Sequence, residues 1–157
     1  MNLIYMGKPT YGGWVSFTAH LALKYNYKLY KISKRTEKLK SGEARMRKFG
    51  YGVMYQNLSI EDARKLPNII ITAIDKKYYE FLDQFKNNTK LVIHDPTEIK
   101  GKSCQPVLDV LDKYDIITIR KSVKKFLLEK YNIKSKFKYH PFFEYNKTPV
   151  VYSDKSG

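Results

Sequence analysis

The sequence predicts an α/β fold, a parallel sheet with helices on both faces. Three observations carry this. Apolar β-branched runs such as Ile69-Ile70-Ile71-Thr72 and Leu91-Val92-Ile93 suit strands buried on both sides. Amphipathic stretches with helical spacing separate those runs. Strand and helix alternate along nearly the whole chain, which is the order that builds parallel sheets.

Leu3 to Met6 is the first strand, apolar throughout. The loop Gly7-Lys8-Pro9-Thr10-Tyr11-Gly12-Gly13 follows, and Trp14 to Leu23 reads as a helix through Val15, Ala19, Ala22 and Leu23. A strand, a glycine loop and a helix in succession bring backbone N–H groups up to a phosphate. Gly12 and Gly13 let the backbone approach an anion, and the helix points its positive end at it. The spacing matches neither of the two common phosphate-loop patterns, and a glycine pair that only turns the chain into a helix would look the same.

Tyr27 to Ile32 alternates and forms a second strand. Residues 33–51 break the rhythm. Lys34, Arg35, Arg45, Arg47 and Lys48 stand among glycines and read as an exposed basic loop, either a solvated surface segment or a mobile functional loop. Val53-Met54-Tyr55 is a short strand, and Ser59 opens a helix that Pro67 stops. Asn68 to Ala73 is the clearest strand. Asp75 caps a helix that presents Tyr78, Tyr79, Leu82 and Phe85 on one face.

Thr89 to His94 is another buried strand and runs out into His94-Asp95-Pro96-Thr97-Glu98. Pro106 to Tyr114 reads as a helix, Asp115 to Ile119 as a strand, Val123 to Tyr131 as a basic helix, and Phe137 to Tyr139 as a closing strand. Tyr145 to Gly157 is polar and reads as a linker. The expected division is a domain over 1–146 and a linker over 147–157 toward a C-terminal domain.

In such sheets ligands lie beyond the carboxyl ends of the strands. That puts Gly12-Gly13 and His94-Asp95 on one rim. Each also has an ordinary structural reading: His94 as a packed histidine, Asp95-Pro96 as a turn. His20 reads as structural, and Glu98 and Asp75 as caps or surface charges.

The totals fit one domain: 157 residues, 43% hydrophobic. No apolar run reaches the about 18 residues of a membrane span, and the polar Asn2 and early glycines are unlike a secretory leader. Cys104 is the single cysteine, which excludes an internal disulfide and a cysteine zinc site and suits a reducing, cytoplasmic setting. The net charge of +15 points to an anionic partner: a nucleotide, a nucleic acid, a phosphorylated glycan or an anionic lipid surface. A lysine-rich composition without function would give the same total.

The chain resembles the N-terminal domain of a GT-B glycosyltransferase, of the retaining kind found in glycosyltransferase family 4. The likeness covers most of residues 1–146 and rests on three features in order. They are the Tyr11-Gly12-Gly13 opening, Val92-Ile93-His94-Asp95 at the end of a central strand, and a long C-terminal run. That run is Tyr114-Asp115-Ile116-Ile117-Thr118-Ile119, then a helix ending Leu127-Leu128-Glu129-Lys130-Tyr131, then a strand leading to His140-Pro141. Phe142-Phe143 stands where the family often has Asn-Gly, and Arg120 where it tends to have Ser.

The resemblance implies a Rossmann-like domain, one half of a GT-B architecture, working on a nucleotide-sugar donor. The acceptor would be a glycan, lipid, protein or DNA. His94 and Asp95 would act at the reacting sugar, and Gly12, Gly13, Trp14 and Arg120 at the donor phosphate or sugar. No metal and no cofactor are implied. Most nucleotide contacts would lie in the C-terminal domain, so this chain alone would turn over little. The reading from a different class is a non-enzymatic basic α/β module for nucleic acid or an anionic membrane surface, which the charge favours and the rim does not.

Overall fold

The computed structural model describes residues 1–9, 12–32 and 46–138. Lys34, Arg35 and Arg45 of the basic loop, Tyr11, His140-Pro141 and the linker boundary at 146 lie outside the described residues.

The strands are β1 (Asn2–Met6), β2 (Lys28–Ile32), β3 (Arg47–Lys48), β4 (Met54–Leu58), β5 (Ile69–Ile74), β6 (Lys90–Ile93), β7 (Asp115–Thr118) and β8 (Lys136–Phe137). They form one sheet in the order β3-β4-β2-β1-β5-β6-β7-β8. Every pairing is parallel except β3 with β4. The chain steps outward from β1 through β2 to β4, then returns to the other side of β1 for β5 to β8. The order therefore reverses between β1 and β5, and a crevice opens there above the carboxyl ends.

The helices are α1 (Gly13–Tyr25), α2 (Ile60–Ala63), α3 (Gln105–Leu108) and α4 (Lys121–Tyr131). Strand side chains alternate between two cores. Leu3 and Tyr5 pack with Val15, Phe17, Ala19 and Ala22 of α1. Ile4, Met6, Ile71 and Ile93 pack on the opposite face with Ala63, Val107, Val123 and Leu127 of the other three helices. Helices thus cover both faces, α1 on one and α2, α3 and α4 on the other. Asn26 and Asn132 end α1 and α4 in the left-handed conformation, each at φ 54°.

Three expected helices are shorter or tighter than the periodicity suggests, and the one that Ser59 opens is α-helical only over Ile60–Ala63. Asp75 does cap the segment after β5 by accepting the Lys77 N–H, but Lys76–Gln84 winds as a 3₁₀ helix. Within 106–114 only the start is α-helical, in α3, although Val107, Val110 and Leu111 are buried as the spacing requires. The Tyr114 hydroxyl donates to the Leu82 carbonyl and accepts the Phe85 N–H, fixing the two crossovers to each other.

A further departure concerns the basic stretch. Arg47 and Lys48 are not loop residues. They form β3, antiparallel to β4, with Arg47 opposite Tyr55 and Lys48 opposite Met54. Phe49 follows into the core beside Tyr5, at 4.9 Å between ring centroids.

Candidate functional site

The crevice at the strand reversal is built first by β1 and α1. The Tyr5 hydroxyl donates to the Lys8 carbonyl at 3.1 Å and holds the start of the loop. Gly12 precedes α1 at φ 118° and ψ 177°, a conformation that side chains disfavour. No side chain caps α1, and its first turn holds no acidic residue. The first internal bond of the helix runs from the Ser16 N–H to the Gly12 carbonyl, so the amides of Gly13, Trp14 and Val15 precede it. Among the described residues, a Cβ added at Gly12 or Gly13 would meet nothing within 4 Å, and Gly13 has no positive φ that calls for glycine.

His94 arrives from β6 by a different route. β1 pairs Ile4 with Ile71 but Tyr5 with Ala73, which makes Thr72 the extra residue of a bulge in β5. The ladder between β5 and β6 runs only to Ile71 and Leu91. The Thr72 carbonyl is then capped by the His94 side chain, whose Nε2–H donates to it at 2.7 Å. Since a carbonyl only accepts, the proton sits on Nε2 and Nδ1 carries a lone pair. His94 is 6% exposed. Burial holds its pKa down at about 4, so the ring is neutral at pH 7. Among the described residues no hydrogen bond to Nδ1 is formed, and no fully buried side-chain nitrogen or oxygen lacks a partner, so Nδ1 is not sealed from solvent.

The same bulge ties α1 to the sheet. Thr18 Oγ1 donates to the Trp14 carbonyl at 2.8 Å and lies 2.7 Å from Thr72 Oγ1, both threonines being fully buried. Phe17 meets the His94 ring edge-on at 5.1 Å, and Trp14 lies 6.3 Å from it. One continuous seam thus runs from the glycine turn through Thr18 and Thr72 to His94.

Glu98 is the residue that local reading misses. It is neither a cap nor a surface charge. Oε1 accepts the His94 backbone N–H at 3.2 Å, and Oε2 accepts the indole N–H of Trp14 at 3.4 Å. It is half-buried, and desolvation raises its pKa to about 7 despite those two donors. The signal was out of reach in sequence because Trp14 is distant along the chain, whereas Asp95-Pro96-Thr97 beside it spells a capped turn.

Asp95 does cap that turn. Oδ1 accepts the Thr97 N–H and hydroxyl, each at 3.0 Å, and these bonds hold its carboxyl below the usual range. Oδ2 pairs with Arg120 at 3.3 Å, in an exposed setting where such a pair is worth little. Arg120 itself precedes α4, whose first turn has no side-chain cap.

The site residues therefore divide. Gly12, Gly13, Trp14, His94, Asp95 and Arg120 all lie at the carboxyl rim. Arg47 and Lys48 do not: their register opposite Tyr55 and Met54 sets them against the amino-terminal half of β4, level with the starts of β1 and β2. His20 is structural in part, its Nδ1 lying 2.8 Å from the Ser16 carbonyl. Among the described residues no three His, Cys, Asp or Glu side chains could hold a metal ion, and no helix is long and apolar enough to cross a membrane. Comparison with family models, with curated proteins and with solved structures finds no match.

Proposed function

We propose that this chain is the N-terminal, acceptor-side domain of a GT-B glycosyltransferase of the family 4 kind. It moves a sugar from a nucleotide-sugar to an acceptor with retention, together with a C-terminal domain that supplies most nucleotide contacts. The observation that supports the reading is that the uncapped start of α1 and the neutral His94 ring both lie at the carboxyl rim of the sheet, with the Trp14 ring 6.3 Å from that of His94.

In such a transfer the charge develops on the leaving diphosphate. Amides already oriented by a helix oppose it without having to reorganise. His94 Nδ1 accepts a hydrogen bond from a sugar hydroxyl. With its pKa held near 4, the ring serves as an acceptor and not as a proton donor at neutral pH. Asp95 holds Arg120, and Arg120 offers a guanidinium to a phosphate.

The test is titration of the intact protein with a panel of nucleotide-sugars. Gly13→Val places a branched side chain beside the amides. It should weaken donor binding by about tenfold or more, the worth of one or two charge-assisted hydrogen bonds, and leave thermal unfolding unchanged. Equal affinity in the variant, or no binding of any nucleotide-sugar, overturns the reading.

A further inference from the structure

The charge of this protein is uneven. Residues 1–58 contain eleven Lys and Arg against two Asp and Glu, residues 59–119 nine against ten, and the much shorter stretch 120–138 eight against one. A composition that merely favoured lysine would load all three stretches. The last stretch is one structural unit, α4 and β8, at one end of the sheet.

Lys121, Lys124, Lys125 and Leu128 follow helical spacing and form a single stripe on α4, opposite the buried Val123 and Leu127. The three lysines are exposed, and Leu128 is 45% exposed among them. The one acidic residue, Glu129, is 4.0 Å from Lys125. Lys134, Lys136 and Lys138 continue the charge around the sheet edge and are exposed as well. Lys121 and Lys124 also crowd the amino end of α4, where cations oppose the helix dipole, so this arrangement does not serve the stability of the helix.

We infer that the outer face of α4 docks this protein onto an anionic lipid bilayer. Charge complementarity supplies the long-range attraction, since juxtamembrane lysines are drawn to acidic headgroups. Leu128 decides between polyanions. An outward leucine ringed by lysines gains nothing from a nucleic-acid phosphate backbone, but it reaches the acyl boundary of a bilayer whose headgroups the lysines hold. Apart from Arg120 the stretch has no arginine, the residue that bidentate phosphate and base-edge contacts favour. The inference stands whether or not the crevice transfers a sugar.

Flotation of the intact protein with vesicles tests it. Equal parts phosphatidylcholine and phosphatidylglycerol should carry the protein, and pure phosphatidylcholine should not. Lys124→Gln with Lys125→Gln should lower partitioning about thirtyfold, taking each lysine at its usual worth near an acidic surface. Lys77→Gln with Lys86→Gln, an equal loss of charge in the neutral stretch, should leave it nearly unchanged. Leu128→Ser should weaken vesicle binding with no change in charge. All three variants alter exposed side chains, and circular dichroism verifies the fold. Equal losses in the two lysine pairs, or no vesicle binding at all, overturn the inference. So does tighter binding to duplex DNA than to vesicles, lost in the α4 pair and indifferent to Leu128→Ser.

Discussion

Glu98 and His94 titrate in opposite senses, and the protein's acid response follows from the pair. His94 is a base whose pKa falls from about 6.5 to about 4 on folding. Between those values the unfolded chain binds more protons, so stability rises with pH. Glu98 is an acid whose pKa rises from about 4.5 to about 7. Between those values the folded chain binds more protons, so stability falls with pH. The two slopes oppose each other through most of the range, and above about 6.5 only the Glu98 loss remains. Glu98→Gln should remove that loss and expose the His94 slope, seen as a melting temperature that climbs from pH 4 to 6.5 and then stays level. Trp14 is the only tryptophan and donates its indole N–H to Glu98, so its fluorescence should titrate near pH 7 in the parent and not in the variant. A flat fluorescence titration in the parent would show that Glu98 stays ionised.

The same residues show why part of the site was legible and part was not. His94 and Gly12-Gly13 declared themselves through their place after apolar runs, which local spacing encodes. Glu98 did not, since its role depends on an indole brought in by the fold. Thr72 did not either. A bulge is a mismatch between two strands, and neither strand states it alone.

Among the elements, the glycine turn before α1 separates two meanings of a glycine pair. Gly12 sits at φ 118°, so Gly12→Ala should cost about 1–3 kcal/mol of stability. Gly13 begins the helix, with no positive φ and, among the described residues, nothing within 4 Å of an added Cβ. Gly13→Ala should therefore be neutral or add about 0.4–1 kcal/mol, through the unfolded chain. Chemical denaturation of the two variants gives the contrast directly. If both lose stability alike, Gly13 is a backbone requirement and its link to a ligand falls. The strands and α1 were readable because burial on two faces, or on one stripe, repeats along the sequence. The segments after β5 and β6 show the right buried face but wind differently, and the long-range Tyr114 hydroxyl bonds to Leu82 and Phe85 are not written in local periodicity. β3 was hidden for another reason. Two charged residues carry no strand pattern, and the buried Phe49 that follows them is a single apolar residue with no periodicity to read.

At the scale of the whole molecule, a sheet that reverses between β1 and β5 puts the crevice near its middle and the lysine-rich α4 and β8 at one end. Concentrated charge of one sign repels itself, and the range of that repulsion is set by salt. The Debye length is about 30 Å at 0.01 M salt and about 8 Å at 0.15 M. α4 spans roughly 16 Å at 1.5 Å per residue, so all its lysines repel one another at low salt and only near neighbours do at physiological salt. The melting temperature should therefore rise with sodium chloride over that interval, by about 2–4 °C for each kcal/mol of repulsion screened. Lys124→Gln with Lys125→Gln should raise the low-salt melting temperature and flatten the dependence. Lys77→Gln with Lys86→Gln lies where acids balance the bases and should do neither. A salt response that is the same in both pairs would mean that the repulsion is spread over the surface, and that α4 is no special locus of charge.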